Sequence, residues 1–416
     1  MTKKTNDSKF SGYRWVVLSV FIIVALISQL LWLTFAPISS EMEKLYGVTA
    51  FDISLLSLVW PLIFVITAIP VGIFIDKKGF KISVAVGAVF LAVFSIIRIF
   101  SAIPEYNFLI LLISQSGAAI SQPFIFGSIT KLSASWFPKS EQGLATGFGT
   151  IGLFLGMMVA LAITPIIFLS YGIINLLIIY ASISCAAAFF FIALAKEGRK
   201  TSIKDTSSAF TLTDLWSLSK LKPFLILEFG FFVVVGGFTA LMTWLEQILN
   251  SLHGIGIDQA GITGGLMIIG GIIGSIIIPT VSDKIKKVKI FIIINLAIGT
   301  FLLYLVGIFS DFLFLAIIFF IMGFFLMSAL PLVLEMSSRI AGPGIEGQAS
   351  SLLWFFSQVG SVLLIVIIEP IKSIWNSYYY SILLIVLLWT ISLILFLGIK
   401  ENPIKKNKNI ILKSKH

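Results

Sequence analysis

The chain is nearly devoid of cysteine and histidine and carries little charge. Among its 416 residues are one Cys and two His, and only 12% of residues are charged, against about 25% in soluble domains. These counts exclude a disulfide framework, a zinc cluster and a set of haem ligands, so we expect no metal and no cofactor. A Gly-x-x-x-x-Gly-Lys-Ser/Thr loop for ATP is also missing, which argues against an enzyme.

Long apolar runs dominate what is present. Hydrophobic residues make up 58% of the chain and its mean hydropathy is +1.08. Runs of about 20 apolar residues cross a bilayer as helices, so the sequence predicts an all-α membrane protein. The net charge of +10 lies in the gaps between the runs, so we expect no nucleic-acid partner. Twelve spans are predicted, at 15–38, 52–75, 82–102, 108–134, 143–168, 172–195, 223–249, 259–281, 289–309, 312–336, 346–368 and 376–399.

Two charged turns interrupt the apolar sequence in the same way. The first follows the second span and contains Gly72, Asp76, Lys77, Gly79 and Lys81. A similar turn follows the eighth span and begins at Asp283 and Lys284, with the two aspartates 207 positions apart. Gly156 returns as Gly360, 204 positions later. Two offsets that nearly agree, each close to half the chain, predict an internal duplication.

The basic residues predict the topology. All but three of the 29 Lys and Arg residues fall on one side if the N-terminus is cytoplasmic; the exceptions are Lys44, Lys372 and Arg98. Cytoplasmic segments of membrane proteins carry an excess of Lys and Arg. We therefore expect a multi-pass protein of the cell membrane with both termini in the cytoplasm.

The chain resembles the major facilitator superfamily in three features: twelve spans arranged as six plus six, a basic central loop, and the Gly-x-x-x-Asp-Lys-x-Gly-x-Lys turn. The resemblance implies two pseudo-symmetric six-helix bundles that open a central solute site alternately to either side. Its partners would be a small molecule and the bilayer, and we expect a monomer. The implied division is a first bundle at 1–195, a cytoplasmic linker at 196–222, a second bundle at 223–399 and a basic tail at 400–416.

The turn aspartates predict a gate. A negative charge at the end of a helix is disfavoured by the helix dipole and seeks a positive partner. We expect Asp76 to face the start of span 11 and Asp283 the start of span 5, so that both contacts hold the cytoplasmic side shut. The alternative is that the two acids only mark turns. Glycine-rich faces of spans 5 and 8 are predicted to let the two halves slide.

Polar and aromatic residues midway along a span are candidates for solute contact. In the first half these are Gln29, Trp32, Trp60, Gln115 and Gln122, and in the second half Trp244, Trp354 and Gln358. Spans 1, 4, 7 and 11 line the cavity in the resembled superfamily. For each tryptophan a packing role is the alternative, whereas a buried amide is costly unless it has a partner.

A narrower resemblance comes from Gln122-Pro123-Phe124, Lys131-Leu132-Ser133-Ala134-Ser135-Trp136-Phe137-Pro138 and Glu141-Gln142-Gly143-Leu144-Ala145-Thr146. This stretch resembles the feline leukaemia virus subgroup C receptor-related transporters, which are linked to choline, ethanolamine or haem. Gln142 departs from the arginine of that family. The resemblance places its cation pocket on Trp32, Gln122 and Gln358, and Trp faces do attract ammonium groups. Because His253 and His416 lie outside the spans and Cys185 stands alone in span 6, haem is disfavoured.

Only three ionisable residues lie clearly within spans and are candidates for energy coupling: Arg98, Glu228 and Glu246. The alternative is that all three side chains extend towards a membrane interface. A pair between Arg98 and Glu246 would close the outer side of the protein. The scarcity of charge within the spans favours uniport, and the resemblance implies a choline-like amine moved by alternating access. Proton-coupled symport, or export of another small metabolite or drug, is the alternative, and a solute sensor without transport is the least favoured.

Overall fold

The computed structural model describes residues 12–138, 141–198, 218–342 and 346–399, with the side chains of 346–348 left out. This part of the chain is helical and contains no strand. Ten helical stretches in it are long and apolar enough to cross a membrane. Two of these stretches, Ala50–Ile99 and Gln142–Leu194, each break at a glycine with non-helical φ and ψ, Gly79 and Gly172 respectively. Each break separates two spans, so the described residues form twelve.

The spans follow the predicted order. Spans 2 and 3 are the two parts of Ala50–Ile99, and spans 5 and 6 are the two parts of Gln142–Leu194. A short helix, Ser39–Tyr46, connects spans 1 and 2. The remaining bounds are Tyr13–Leu33 for span 1, Phe108–Trp136 for span 4, Lys222–His253 for span 7, Ile257–Ile285 for span 8, Val288–Val306 for span 9, Phe312–Ala341 for span 10, Glu346–Trp375 for span 11 and Tyr379–Leu397 for span 12.

Because successive spans alternate in direction, the bundle has two ends. We call them the Asp76 end, where span 1 begins, and the Ser40 end, where span 1 gives way to the short helix. The first half is 12–198 and the second half is 218–399. The tail 400–416 and most of the predicted linker, 199–217, lie outside the described residues.

The internal repeat extends to the backbone of the turns. Gly47 (φ 62°) and Gly254 (φ 67°) end the first helical segments of the two halves and are 207 positions apart. Gly79 (φ 85°) and Lys286 (φ 57°) have the same separation, and Gly172 (φ 74°) and Asn376 (φ 53°) are 204 apart. Positive φ is uncommon for residues other than glycine. Its recurrence at three matching pairs supports the predicted duplication.

The repeated glycines make equivalent close contacts. A Cβ on Gly156 of span 5 would lie 2.1 Å from the carbonyl oxygen of Leu26 in span 1. One on Gly360 of span 11 would lie 2.1 Å from the carbonyl oxygen of Phe232 in span 7. In each half, therefore, the fifth helix lies backbone to backbone against the first, at a distance that only glycine permits.

Only some of the glycines predicted to let the two halves slide lie between the halves. In span 8, Gly261, Gly264 and Gly265 do face span 5, where Leu161 and Ala162 are their neighbours. Gly152 and Gly156 instead face span 1, Gly149 faces Ile129 of span 4, and Gly270, Gly271 and Gly274 face span 10, all within their own halves. Most of these glycines thus serve packing inside a half.

Candidate functional site at the contact between the halves

A chain of aromatic rings crosses from the first half to the second. The Phe126 ring of span 4 lies 6.0 Å from Phe64 in span 2 and 6.2 Å from Trp354 in span 11. Trp354 in turn lies 5.8 Å from Phe231 in span 7. At about 1.5 Å of rise per residue, the four rings form one layer about 12–18 Å from the Asp76 end. We call these four residues the aromatic layer.

Two predicted site residues lie one turn beyond this layer. Gln122 precedes Phe126 by four residues and Gln358 follows Trp354 by four, and both steps lead towards the Ser40 end. Residues four apart share one face of a helix. Since Phe126 and Trp354 touch across the halves, this register predicts that the two glutamines lie on the facing sides of spans 4 and 11, one turn closer to the Ser40 end. Both side chains are buried.

Buried polar atoms without partners gather at the same height in the first half. They are Ser28 Oγ, Gln29 Nε2, Trp60 Nε1, Ser121 Oγ and Gln122 Oε1, none of which has a hydrogen-bond partner among the described residues. All belong to residues about 21–24 Å from the Asp76 end, at about 1.5 Å per residue. Native proteins rarely leave buried polar groups unpaired. A layer of them is what a polar solute would satisfy.

The tryptophans predicted to contact solute differ in their surroundings. Trp32 is in the last turn of span 1, and its Nε1 donates to the carbonyl of Ser57 at 3.2 Å. Trp244 is 1% exposed, donates from Nε1 to Ile365 O at 3.1 Å and packs 5.9 Å from the Tyr378 ring. Trp244 therefore packs within its own half, whereas Trp354 belongs to the aromatic layer.

Gln115 also has a structural role instead of a free amide. Its Oε1 accepts a hydrogen bond from Arg98 Nη2, and its Nε2 donates to Leu31 O at 3.1 Å and Trp32 O at 3.4 Å. The predicted Arg98–Glu246 pair is absent from the described contacts: Arg98 faces Phe35, with 5.2 Å from Cζ to the ring centre. At 1% exposure, Arg98 does not extend to an interface either.

Glu246 joins the two halves at the Ser40 end. The Glu246 carboxylate of span 7 accepts from Ser40 N at 3.0 Å and from Ser40 Oγ at 2.7 Å. Beside it, Gln247 Nε2 donates to Ser39 Oγ at 3.2 Å and to the Glu43 carboxylate. Glu228, by contrast, accepts from Ser219 Oγ at 2.6 Å, near the Asp76 end of the same span. Glu246 is thus the one of the three predicted coupling residues with a described bond across the halves.

Among the predicted gate aspartates, the described contact is that of Asp76, and it lies within the first half. Asp76 is paired with Lys131 of its own half at 3.2 Å, and Lys131 Nζ also donates to Ile75 O at 2.6 Å. Asp283 and Lys284 are exposed. Asp76 was expected to face the start of span 11, where 343–345 and the side chains of 346–348 lie outside the described part of the chain, so this expectation stays a prediction.

Glu197 was not predicted to take part in the turn. Its carboxylate accepts from Phe80 N at 3.2 Å and from Lys81 N at 3.0 Å, which caps the start of span 3 just after Gly79. A carboxylate at a helix N-terminus is favoured by the helix dipole. Glu197 was missed because it lies in the segment predicted to be a linker.

Two other predicted gate residues of this turn are less constrained. Lys77 is exposed, and Gly72 has open space around it.

Comparisons with known proteins agree with this architecture. The model of the Major Facilitator Superfamily matches residues 20–365. A protein of Archaeoglobus fulgidus described as uncharacterized is 38% identical over 226 residues, which is 54% of this chain and all of that protein. The choline/ethanolamine transporter flvcr2b of Danio rerio is 24% identical over 385 residues, covering 86% of this chain and 78% of that protein.

Among solved structures, the fold resembles a bacterial homolog of the human lysosomal transporter Spinster in an inward-facing, unoccupied conformation. The TM-score is 0.73 at 14% identity, with 93% of this chain and 96% of that chain covered.

Proposed function

The chain belongs to the major facilitator superfamily and is a transmembrane solute transporter, and from this premise we propose that its solute is a small choline-like amine moved by alternating access. The observation that carries the proposal is the Phe126–Trp354 contact across the halves, because the helical register then puts Gln122 and Gln358 on the facing sides of the two halves one turn away. A solute between them touches both halves, as rocking of one half against the other requires.

The residues proposed to surround the solute are uncharged, and their chemistry suits a cation. Glutamine amides orient a hydroxyl or amine without adding charge, and the indole ring of Trp32 attracts an ammonium group. Gln29 Nε2 and Trp60 Nε1 supply unpaired donors for a hydroxyl oxygen, and Gln122 Oε1 an unpaired acceptor. The named relative flvcr2b of Danio rerio is a choline/ethanolamine transporter, which supports the same solute class.

We further propose that the Asp76 end is cytoplasmic and that the protein resides as a monomer in the cell membrane. The excess of Lys and Arg at the Asp76 end supports this orientation. The two halves would then be the rocking bodies, with 199–217 part of the link between them. In this orientation the Glu246–Ser40 contact closes the outer side, and the turns at Asp76 and Asp283 belong to the inner gate.

A proton-coupled mechanism is the second candidate, and Glu246 is the observation that favours it. This carboxylate is fully buried and bonded across the halves. Protonation would remove the charge that holds the contact, so a proton could accompany each opening. Uniport remains our first proposal because no acidic residue is among those that we propose to contact the solute.

Replacing Trp32 with Ala is expected to raise the half-saturating choline concentration about tenfold, the equivalent of losing about 1.4 kcal/mol of cation–π attraction. Uptake of tritiated choline into liposomes containing the purified protein measures this, and Gln358→Ala should act in the same direction. Trp375→Ala is the matched control, since Trp375 is 59% exposed at the Ser40 end. Equal losses for choline and for an anionic solute would contradict the proposed cation site.

The same liposomes distinguish the two coupling modes. For uniport of a cation we expect uptake to follow an imposed membrane voltage and to ignore an imposed pH step. Proton symport predicts uptake driven by the pH step, with that drive lost in Glu246→Gln. Choline uptake that responds to pH and not to voltage would overturn uniport.

A further inference from the structure

Arg98 is a buried cation that lacks an acidic partner. It is 1% exposed near the Ser40 end of span 3, and no carboxylate in the described part of the chain lies within ion-pair distance of it. A charge inside the membrane region is expensive and marks a role that needs explanation. The side chain has one hydrogen bond, from Nη2 to Gln115 Oε1, and one ring contact, with Phe35. Its Nε and Nη1 have no partner among the described residues.

The hydrogen bond of Arg98 leads to the end of span 1. Gln115 in turn donates hydrogen bonds from Nε2 to the carbonyl oxygens of Leu31 and Trp32. Span 1 ends at Leu33, so these carbonyls belong to the last turn, where a helix has unpaired acceptors and a partial negative charge. Arg98 therefore places its positive charge against a helix C-terminus through one amide, and the helix end takes the place of an acid.

The residues that follow span 1 favour its end at this depth. Pro37 lies in the short 3₁₀ helix Ala36–Ile38 and lacks the N–H that a continuing helix would use. Thr34 Oγ1 covers one more terminal carbonyl by donating to Leu30 O at 2.8 Å. Phe35, two residues after the end of span 1, presents its ring to Arg98. The cation thus contacts the segment after the helix directly and the helix end itself through Gln115.

Trp32 is fixed by this arrangement at its backbone and at its ring. Span 4 holds its carbonyl through Gln115, and span 2 holds its indole N–H through Ser57 O. A ring that stabilises an ammonium group must keep its face directed at the ligand. Ordering a freely rotating side chain on binding lowers affinity, so a Trp32 ring that is already held in place should bind more tightly.

We propose that Arg98 and Gln115 are positioning residues that hold the end of span 1 so that Trp32 keeps its binding orientation. This inference rests on the proposed function, in which Trp32 contacts the solute. It assigns Arg98 neither to solute contact nor to proton transfer. It also explains why Gln115, an amide predicted from the sequence to contact solute, is not available to the solute.

The first experiment is a set of binding measurements on the full-length protein in liposomes, with tritiated choline as the probe. Arg98→Met and Gln115→Leu are each expected to weaken binding about tenfold, and the double variant no more than either alone. In a Trp32→Ala background, Arg98→Met should change binding less than about twofold. Additive losses in the double variant, or a full tenfold loss without Trp32, would overturn the proposal.

Two further variants separate positioning from general damage. Arg98→Lys keeps a cation that can donate to Gln115 and should restore binding to within about threefold of the parent. Asn295→Leu is the matched control, because it removes a buried hydrogen bond to Ser328 Oγ of 2.9 Å between spans 9 and 10. It should lower thermal stability and leave choline affinity unchanged. If Arg98→Met does not fold, Gln115→Leu and Arg98→Lys carry the same comparison.

A second measurement needs no solute, so it separates this proposal from the proposed function. The protein is labelled with 5-fluorotryptophan, and the ¹⁹F resonance of Trp32 is assigned by its loss in Trp32→Phe. Gln115→Leu and Arg98→Met should shift or broaden that resonance, and Asn295→Leu should not. An unchanged resonance overturns the positioning role. A shifted resonance in a protein that does not bind choline supports the positioning role and counts against the proposed solute.

Discussion

Glu246→Ala is expected to release the Ser40 end and move the protein towards conformations open on that side. The substitution removes both hydrogen bonds to Ser40 and leaves its N–H and hydroxyl without their acceptor. Hydrogen bonds to charged groups contribute about 1.5–3 kcal/mol each. Losing two of them should change the ratio of closed to open protein by a factor of about 100 or more, at 1.4 kcal/mol per tenfold.

Spin labels on the two halves measure this shift directly. Leu109 in the first half and Ile374 in the second are both well exposed near the Ser40 end, and each is replaced by cysteine in a Cys185→Ala background. Double electron–electron resonance should show a longer distance between the labels in Glu246→Ala. Glu41→Ala is the matched control, because Glu41 pairs with Lys44 of its own helix at 2.7 Å. Unchanged distances would show that the Glu246 contact does not hold the halves together.

Gly360→Ala is expected to prevent most of the protein from reaching a folded, monodisperse state. Its Cβ would lie 2.1 Å from Phe232 O and 2.8 Å from the Phe232 carbonyl carbon, so two helix backbones would have to move apart. Overpacking of this kind typically costs about 1–3 kcal/mol and occasionally more. Because the contact lies along the spans that form the core of the second half, we expect the upper end of that range.

The repeat supplies a second test of the same contact and its control. Gly156→Ala should be equally damaging, since its Cβ would lie 2.1 Å from Leu26 O, whereas Gly147→Ala in the same span meets nothing within 4 Å. Size-exclusion profiles and thermal unfolding in detergent compare the three variants. Gly147→Ala should match or slightly exceed the parent, because alanine is the better helix former. Similar profiles for Gly147→Ala and Gly156→Ala would contradict the close backbone contact.

The sequence was sufficient to predict the features that depend on the membrane environment and on the local run of residues. Apolar runs of spanning length follow from the bilayer thickness, and the turns at Asp76 and Asp283 follow from their charge. These two signals predicted the helical membrane fold and the order of the spans. The repeat of Gly156 and Gly360 was visible too, because a glycine that permits a close backbone approach is needed in both halves.

The site was harder to predict because partners distant in sequence decide the role of each polar residue. Gln115 and Gln122 are both glutamines of span 4, but Arg98 engages the amide of the first, while Oε1 of the second has no described partner. Glu246 was predicted to meet Arg98, and its partner is Ser40, 206 positions away. Phe126 carried no signal as a contact, since one more phenylalanine in an apolar span is indistinguishable from the rest.

The corners at Lys286 and Asn376 bear on how the two halves correspond. Where the first half has Gly79 and Gly172, the second half has a lysine and an asparagine, again with positive φ. The other dihedral is not matched, since ψ is 172° at Gly79 and 37° at Lys286. The places where the chain turns therefore correspond more closely than the residues that form the turns, and these corners are positions from which the two halves can be superimposed.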